Sequence, residues 1–425
     1  MRSAFEPGYV GDQWRRHHLF FLLIPICIAS YFCLYGVIPD AYAVGPAVIF
    51  LTALLFLRKE DLVLRHKPYS AGRVSFCLIL YCLVQWVILF LHGEDVSEFD
   101  LPLRYIIAAI VLIFLLKFQI PASLIFSSAA VGALLAGIFA FYQIEIGHAR
   151  RVDTFDNAIH FGNGALALSI ICLCGLIAYY RNRNALLRMS ILCVAFIAGS
   201  YATLASGSRG VWVSVPVVMA VLAFLYWRRF TLLAKATASV VFVVVLSTLA
   251  VVNFDSVATR VEIGVAQYQQ YFASGRSGSS VGLRFEMWKS GLVSFSEQPI
   301  IGVGPSGVDR VVKRLVDEGK VHNQTARFRH LHNQYVDILA RQGLVGLAFY
   351  TVLILSVVIA FAAIFRDMRI NEKGHALAAA GLAFMAQHLI LNVTLSMLER
   401  SIGLMMFLFF VVFLIASASS EKATS

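Results

Sequence analysis

The sequence predicts an all-α integral membrane protein, with about twelve transmembrane helices and one large helical loop between the ninth and the tenth. Two observations support this fold class. Of the 425 residues, 59% are hydrophobic and only 14% are charged, and the mean hydropathy is +0.78. Apolar runs also recur at close to the roughly 20 residues that cross the hydrocarbon of a bilayer. A chain with so little polar surface cannot cover a water-soluble core, so soluble, disordered and fibrous classes are excluded.

Apolar windows along the chain predict the membrane spans. The windows cover residues 19–37, 42–57, 74–92, 103–119, 122–142, 161–180, 185–204, 210–227, 231–252, 343–365, 374–394 and 401–418. The pattern places the first nine spans in residues 1–252. A loop domain follows in residues 253–342, and the last three spans with a cytoplasmic tail occupy residues 343–425.

The short polar segments indicate the orientation, because cytoplasmic loops carry an excess of lysine and arginine. The basic segments alternate along the chain and include the amino terminus and residues 58–73, 181–188, 228–229 and 366–373. These segments predict that both termini are cytoplasmic. The turn 206–209, the loop 253–342 and the segment 396–400 then face outward. The basic residues of the long loop do not contradict this orientation, because long loops are exempt from the rule.

The loop 253–342 has the pattern of short amphipathic helices lying on a membrane surface. Apolar residues recur at helical spacing in two places, at Phe285, Trp288, Leu292 and Phe295 and again at Val308, Val311, Val312 and Leu315. A turn-rich stretch, residues 299–305, separates the two places. We therefore expect a small helical domain and not a linker.

Charge and cysteine usage narrow the function classes. The formal net charge is +11, but no long basic run interleaves with aromatic residues, so an anionic lipid or phosphate partner is favoured over nucleic acid. All seven cysteines lie in apolar stretches, which indicates neither a disulfide framework nor a thiolate metal site. The outward loops have no paired carboxylates of the kind that hold a divalent metal, and no Walker or dinucleotide motif is present. We expect no metal and no cofactor.

The most informative motif begins at His332. His332 and Asn333 are followed after nine residues by Gly343, and after two more by Gly346. The motif falls where the tenth predicted span meets the outward side of the membrane. This spacing resembles the histidine motif of the O-antigen ligase family, whose superfamily also contains O-antigen polymerases and O-linked oligosaccharyltransferases.

Two further stretches carry the same resemblance. Arg209, followed by Val213, is similar to the family's arginine and leucine pair, with valine in place of leucine. The stretch from Arg284 to Trp288, together with residues 298–305, is similar to an arginine, tryptophan and glycine–proline run in the same outer loop of the superfamily.

The resemblance implies an enzyme that moves a glycan from undecaprenyl diphosphate to the lipid A core of lipopolysaccharide. The active site would face the periplasm from the bacterial inner membrane, and the partners would be the lipid-linked donor, the lipid A core acceptor and membrane lipids. An O-antigen polymerase and an O-linked oligosaccharyltransferase remain open alternatives. A transporter of a lipid-linked solute is a further alternative, but transporters place ionisable groups near the membrane midplane, whereas polar residues here collect at one surface.

The chemistry of such a transfer needs one base and several cations. The glycan already has a good leaving group, so a base must take the proton of the acceptor hydroxyl and positive charge must stabilise the departing diphosphate. We assign the base to His332, because an imidazole is largely neutral near neutral pH and a helix amino terminus disfavours its cation. Arg209 and Arg284 are assigned to the diphosphate. The structural alternatives are a histidine that caps a helix and arginines that reach lipid headgroups.

Other polar residues on the outward side are candidates for contacts with substrate. His330 is also the rival base. The candidate substrate-binding residues are His330, Asn333, Arg104, Arg151, Arg260 and Arg329. Asp156, His160 and Asn163 are candidates for contacts with the acceptor sugar, against ordinary roles in loops and turns.

Overall fold

The part of the chain that the structure describes contains fourteen α-helices and no β-strand. This computed structural model describes residues 11–57, 69–152, 157–227, 254–274 and 278–422. The first helices are α1 (Gly11–Leu34), α2 (Ala41–Phe56), α3 (Tyr69–Leu91), α4 (Asp100–Leu115), α5 (Ala122–Phe141), α6 (Ala158–Tyr179), α7 (Leu186–Ala205) and α8 (Arg209–Tyr226). The others are α9 (Phe254–Ser274), α10 (Ser280–Glu297), α11 (Pro305–Asp317), α12 (Gln334–Arg366), α13 (Glu372–Leu391) and α14 (Ser401–Ser420).

Of the described helices, eight are long and apolar enough to cross a membrane, namely α3, α5 to α8 and α12 to α14. The helices α1 and α2 contribute shorter apolar segments, Leu22–Leu34 and Ala41–Phe56, and α4 has 16 residues. The predicted ninth span, residues 231–252, lies outside the described residues. Every other predicted span coincides with a helix, so the chain is a multi-pass α-helical membrane protein in which length and composition support eight spans.

The helices pack closely through small residues, as expected where surrounding lipid removes the hydrophobic driving force between helices. A Cβ atom added to Gly132 of α5 would overlap the carbonyl oxygen of Phe32 on α1, so only glycine allows this approach. The core lies around α14, whose apolar window is 89% buried inside the protein, compared with 39% for α3. Outer helices leave large apolar side chains such as Phe90 exposed, which suits a lipid environment.

The long helix α12 has a kink at Gly343, where φ is +63° and ψ is −160°. The turn that follows α10 fits into this kink, because the backbone N–H groups of the two residues after Gly343 donate to the carbonyl oxygens of Pro299 and Ile300 at 2.9 and 3.0 Å. A Cβ atom at Gly343 would overlap Ile300. The predicted tenth span, residues 343–365, begins at this kink, and the helical turns before it were not predicted.

Three described helices lie between α8 and α12, and two of them, α10 and α11, correspond to the predicted amphipathic segments, whereas α9 was not predicted. The apolar residues expected at helical spacing fall in α10 and α11. The helix α11 buries Val308 and Val312 of its predicted face in a cluster at the start of α12. The helix α10 joins this cluster through Leu283 and Met287, which lie outside its predicted apolar face, and Leu292 of the predicted face is 53% exposed. The other members of the cluster are Val303, Leu331 and Ala340. This cluster fixes α10 and α11 beside the segment that contains the histidine motif.

Candidate active site

The histidine turn (residues 328–333) leads directly into α12. Asn333 is the N-cap of this helix, and its side-chain oxygen accepts hydrogen bonds from the backbone N–H groups of Tyr335 and Val336 at 3.0 and 3.2 Å. His332 precedes the cap and has a left-handed backbone with φ of +52°, which is uncommon for a residue other than glycine. The positive end of the helix dipole lies beside the ring and disfavours its protonation.

A buried ion pair holds the histidine turn in place. The Nε of Arg341 lies 2.8 Å from the Oδ1 of Asp337, and the two side chains are 9% and 0% exposed. The other carboxylate oxygen of Asp337 accepts a hydrogen bond from the backbone N–H of Leu331 at 2.9 Å. Arg341 also donates to the carbonyl oxygen of Arg329. Two consecutive turns of α12 therefore fix both sides of His330.

The same arginine connects the histidine turn to the segment before α14. Its Nη1 lies 3.6 Å from the Oε2 of Glu399, and the backbone N–H of Leu398 donates to the side-chain oxygen of Gln334 at 2.8 Å. Burial raises the pKa of Glu399, and the nearby positive charge of Arg341 opposes that effect. These contacts position the next residue, Arg400, beside the two histidines.

His330 and His332 are in contact. Their ring centroids are 4.3 Å apart, and the rings are close to perpendicular. His330 is 7% exposed, and its Nε2 accepts a hydrogen bond from the Nε of Arg400 at 3.3 Å. The Nδ1 of His332 is buried and has no hydrogen-bond partner among the described residues. The Nδ1 of His330 is likewise buried and without a partner among the described residues, so the two rings differ at the Nε2 of His330, which is bonded to the cation Arg400.

Both imidazoles are kept neutral. The pKa of His332 is lowered to about 3, mainly by burial and further by His330 and the positive charges of Arg284 and Arg400. Burial also lowers the pKa of His330, although the negative charge of Asp337 opposes the shift. A neutral imidazole has a lone pair that can accept a proton, so the site holds a base in its unprotonated form at neutral pH.

Arg209 and Arg284 converge on this site from different helices. The pKa of Arg284 is lowered by burial and by the positive charge of Arg209, and Arg284 in turn lowers the pKa of His332. No carboxylate of a described residue forms a salt bridge with Arg284. A Cβ atom added to Gly264 of α9 would overlap the Nη1 of Arg209, so α9 passes directly over that guanidinium. Two neighbouring cations in a partly buried place favour the binding of an anion.

The other predicted candidates lie in different surroundings. Arg104 pairs with Asp100 on its own helix at 3.0 Å. Arg151 and Arg329 are exposed, and the side chain of Arg260 lies outside the described residues. The side-chain oxygen of Asn333 is used by the helix cap.

The residues proposed for acceptor sugar lie deeper in the protein. Asp156 is outside the described residues. His160 and Asn163 are 0% and 1% exposed, and the side-chain nitrogen of Gln387 donates to the backbone oxygen of Asn163 at 2.8 Å. Their surroundings are those of a helix interface.

Sequence reasoning missed Arg400 and the supporting pair of Asp337 and Arg341. A signal for Arg400 was present, because it lies in a short segment between two apolar spans, as Arg209 does. The supporting pair had the signal of opposite charges four residues apart on one helix.

A small cavity adjoins the supporting network. It has a volume of about 50 Å³, and its lining includes Tyr81, Glu98, Gln334, Arg341 and Glu399. Ligand pockets usually have volumes of roughly 300–1,000 Å³, so this cavity is too small for a sugar ring. The described residues also contain no group of three or more His, Cys, Asp or Glu side chains that could hold a metal ion.

Comparison with known proteins identifies a family and a relative that this chain resembles. Residues 194–351 match the family described as O-antigen ligase, and the matched segment contains Arg209, Arg284, His330 and His332. An uncharacterized protein of Haemophilus influenzae is 22% identical over 388 residues, which cover 91% of this chain and 96% of that protein. The family match supports a membrane glycosyltransferase of the ligase and polymerase superfamily. The match over residues 194–351 supports membership of the O-antigen ligase family.

Proposed function

We propose that this protein is an O-antigen ligase, which transfers a glycan from undecaprenyl diphosphate to the lipid A core of lipopolysaccharide at the periplasmic face of the inner membrane. His332 is the general base, and Arg209 and Arg284 bind the diphosphate. Arg400 adds a third positive charge beside the base. The transfer needs no metal ion, because guanidinium groups supply the positive charge.

The reaction is a single displacement. The acceptor hydroxyl gives its proton to the unprotonated nitrogen of His332 while its oxygen attacks the anomeric carbon of the donor glycan. The bond from that carbon to the diphosphate oxygen breaks, and its electron pair stays on the diphosphate, next to Arg209 and Arg284. Attack from the side opposite the leaving group inverts the configuration of the anomeric carbon. No covalent intermediate with the protein is formed.

The observation that carries this proposal is the environment of Arg284. Its guanidinium is partly buried and has no salt bridge with a described carboxylate, and its pKa is lowered by burial and by the positive charge of Arg209. Such an arrangement is unfavourable unless an anion binds there. Because the same cation also acts on His332, the anion would lie within reach of the base.

The low pKa of His332 limits the chemistry that it can perform. A base with a pKa of about 3 does not remove a hydroxyl proton before the reaction begins. It accepts the proton as the oxygen forms its bond to carbon, when the acidity of that proton rises steeply. Such a weak base is sufficient when the leaving group is a diphosphate, because the bond to the leaving group is largely broken in the transition state.

Reconstituted enzyme distinguishes the ligase from its alternatives. Purified protein in liposomes would receive a polyprenyl-diphosphate-linked glycan together with lipid A core, a second lipid-linked glycan or a protein with serine and threonine hydroxyls, with EDTA present. Glycosylated lipid A core is the expected product. Extension of the second lipid-linked glycan alone would show a polymerase instead. Absence of transfer to lipid A core, to a second lipid-linked glycan and to protein hydroxyls would overturn the assignment to glycosyl transfer.

A further inference from the structure

The inner face of α9 lies over the arginines and differs from the rest of that helix. Gly264, Gln267 and Tyr271 are partly covered, whereas the described side chains between them are exposed. A spacing of three and four residues places these three on one side of a helix. This side faces α10, because the ring of Tyr271 stacks on Phe285 with centroids 5.1 Å apart.

Two buried polar atoms, one on α9 and one on α10, have no hydrogen-bond partner within the part of the chain that the structure describes. They are the side-chain oxygen Oε1 of Gln267 on α9 and the indole Nε1 of Trp288 on α10, and both are buried. The indole belongs to the same aromatic cluster, because its ring lies 5.4 Å from that of Phe285. A buried polar group without a partner costs about 1–3 kcal/mol, so such groups usually have a partner or a ligand.

We propose that Gln267, Tyr271 and Trp288 form a binding subsite for the sugar that is linked directly to the diphosphate of the donor. The inference rests on the proposed function, since it takes Arg209 and Arg284 as the diphosphate site. Gly264 contacts the guanidinium of Arg209, and Gln267 and Tyr271 lie one and two helical turns further along α9. The first sugar is joined to the diphosphate through one oxygen, so it must lie beside the residues that hold the phosphates.

The chemistry of the subsite favours a sugar over the lipid tail of the donor. A sugar offers hydroxyl or amide groups that donate to Gln267 and accept from Trp288, and its apolar face packs on an aromatic ring. A polyprenyl chain has neither a donor nor an acceptor and would leave both polar atoms without a partner. The aromatic and polar composition is also typical of sites that fix the orientation of a small ligand.

Equilibrium binding in lipid nanodiscs tests the subsite with two probes. One probe is polyprenyl diphosphate without a sugar, and the other is polyprenyl diphosphate linked to N-acetylglucosamine. The variants Trp288→Phe and Gln267→Leu each remove one hydrogen-bonding group, on different helices. Each is expected to weaken the binding of the sugar-linked lipid by roughly fivefold to tenfold and to leave the binding of the bare lipid unchanged.

Matched controls separate the subsite from a general effect on folding. Trp86→Phe removes an indole N–H that already donates to the carbonyl oxygen of Phe99, and Gln269→Leu changes an exposed amide on α9. Neither control is expected to alter the ratio of the two dissociation constants. An unchanged ratio in both Trp288→Phe and Gln267→Leu would overturn the subsite.

The proposed function fails by a different outcome. If Arg284→Gln bound bare polyprenyl diphosphate as tightly as the unaltered protein, the diphosphate site itself would be wrong. That result does not depend on Gln267 or Trp288.

Discussion

Two histidines of this protein differ in how their surroundings use them. His388 on α13 is 2% exposed, its Nε2 lies 3.0 Å from the side-chain nitrogen of Asn392, and its ring stacks on Phe407 with centroids 4.5 Å apart. His332 has a left-handed backbone and precedes a helix, its Nδ1 is buried without a partner among the described side chains, and it lies beside the cations Arg284 and Arg400. Neighbouring side chains contact both the Nε2 and the ring face of His388. The ring of His332 instead lies beside positive charges that can attract an anionic ligand. The comparison teaches that the partners of a buried histidine, more than its burial, separate packing from chemistry.

The largest expected effect is at His332, and the contrast with His388 would be wrong if His332 could be replaced without loss of glycan transfer. We expect His332→Asn to lower kcat by about 10²–10⁴-fold, because the general base is removed. Asparagine tolerates a left-handed backbone, so the turn should keep its conformation. The measurement is the initial rate of glycan transfer by reconstituted protein, with the melting temperature checked in parallel.

The matched control is His148→Asn. His148 also has a left-handed backbone, with φ of +51°, but it is exposed. It should retain the full rate. Equal rates for His332→Asn and the unaltered protein would remove His332 from the chemistry and leave His330 as the base to test.

The role of the cations beside His332 can be tested by replacing Arg284. We expect Arg284→Gln to lower kcat/KM by about 10²–10³-fold, because a group that stabilises the departing diphosphate is lost. The pH profile should change as well. A base works only above its own pKa, which for His332 is about 3 in the unaltered protein. Loss of the nearby positive charge raises that pKa, so activity in the variant should fall at a higher pH as the solution is acidified.

Lys313→Gln serves as the control for charge alone, because Lys313 is an exposed cation on the neighbouring helix α11. Its rate and pH profile should match those of the unaltered protein. If Arg284→Gln lost activity but kept the same acid limb, Arg284 would bind substrate without acting on the base.

The sequence predicted much of the fold and the local parts of the site, but not how those parts meet. Apolar windows and helical spacing are local, so they located the described spans and the helices around Trp288 and Val308. The contact of Arg400 with His330 joins residues 70 positions apart, and it forms only when α12 packs beside the start of α14. The docking of residues 299–300 into the kink at Gly343 is likewise a tertiary contact. Local patterns contain no information on such distances, which is why the individual arginines could be named but their convergence could not be predicted.

Gly264 provides a smaller test in which stability and activity should change in opposite directions. Gly264→Ala should stabilise α9 by about 0.5–1 kcal/mol, because alanine favours a helix interior over glycine. The added methyl group overlaps only the flexible end of Arg209, so that guanidinium must move away from its place. We expect KM for the lipid-linked donor to rise by roughly tenfold while the melting temperature rises or stays the same.

A double variant shows whether this effect passes through Arg209. In an Arg209→Gln background the methyl group has no guanidinium to displace, so Gly264→Ala should cause no further loss. Additive losses in the double variant would instead mean that α9 contacts the donor by another route.

The smallest effect is expected at the other histidine. His388→Phe keeps a ring that can stack on Phe407 and removes the contact with Asn392, which still donates to the hydroxyl of Tyr350 at 2.9 Å. Hydrogen bonds between membrane helices contribute about 0.6 kcal/mol on average, so the melting temperature should fall slightly while kcat and KM stay the same. Thermal unfolding in detergent and the rate of transfer by the folded fraction measure the two quantities separately. No change in kcat is expected, because the described partners of His388 all lie within the helix bundle and leave it no route to a substrate. A fall in kcat of the folded fraction would instead mean that His388 takes part in the reaction.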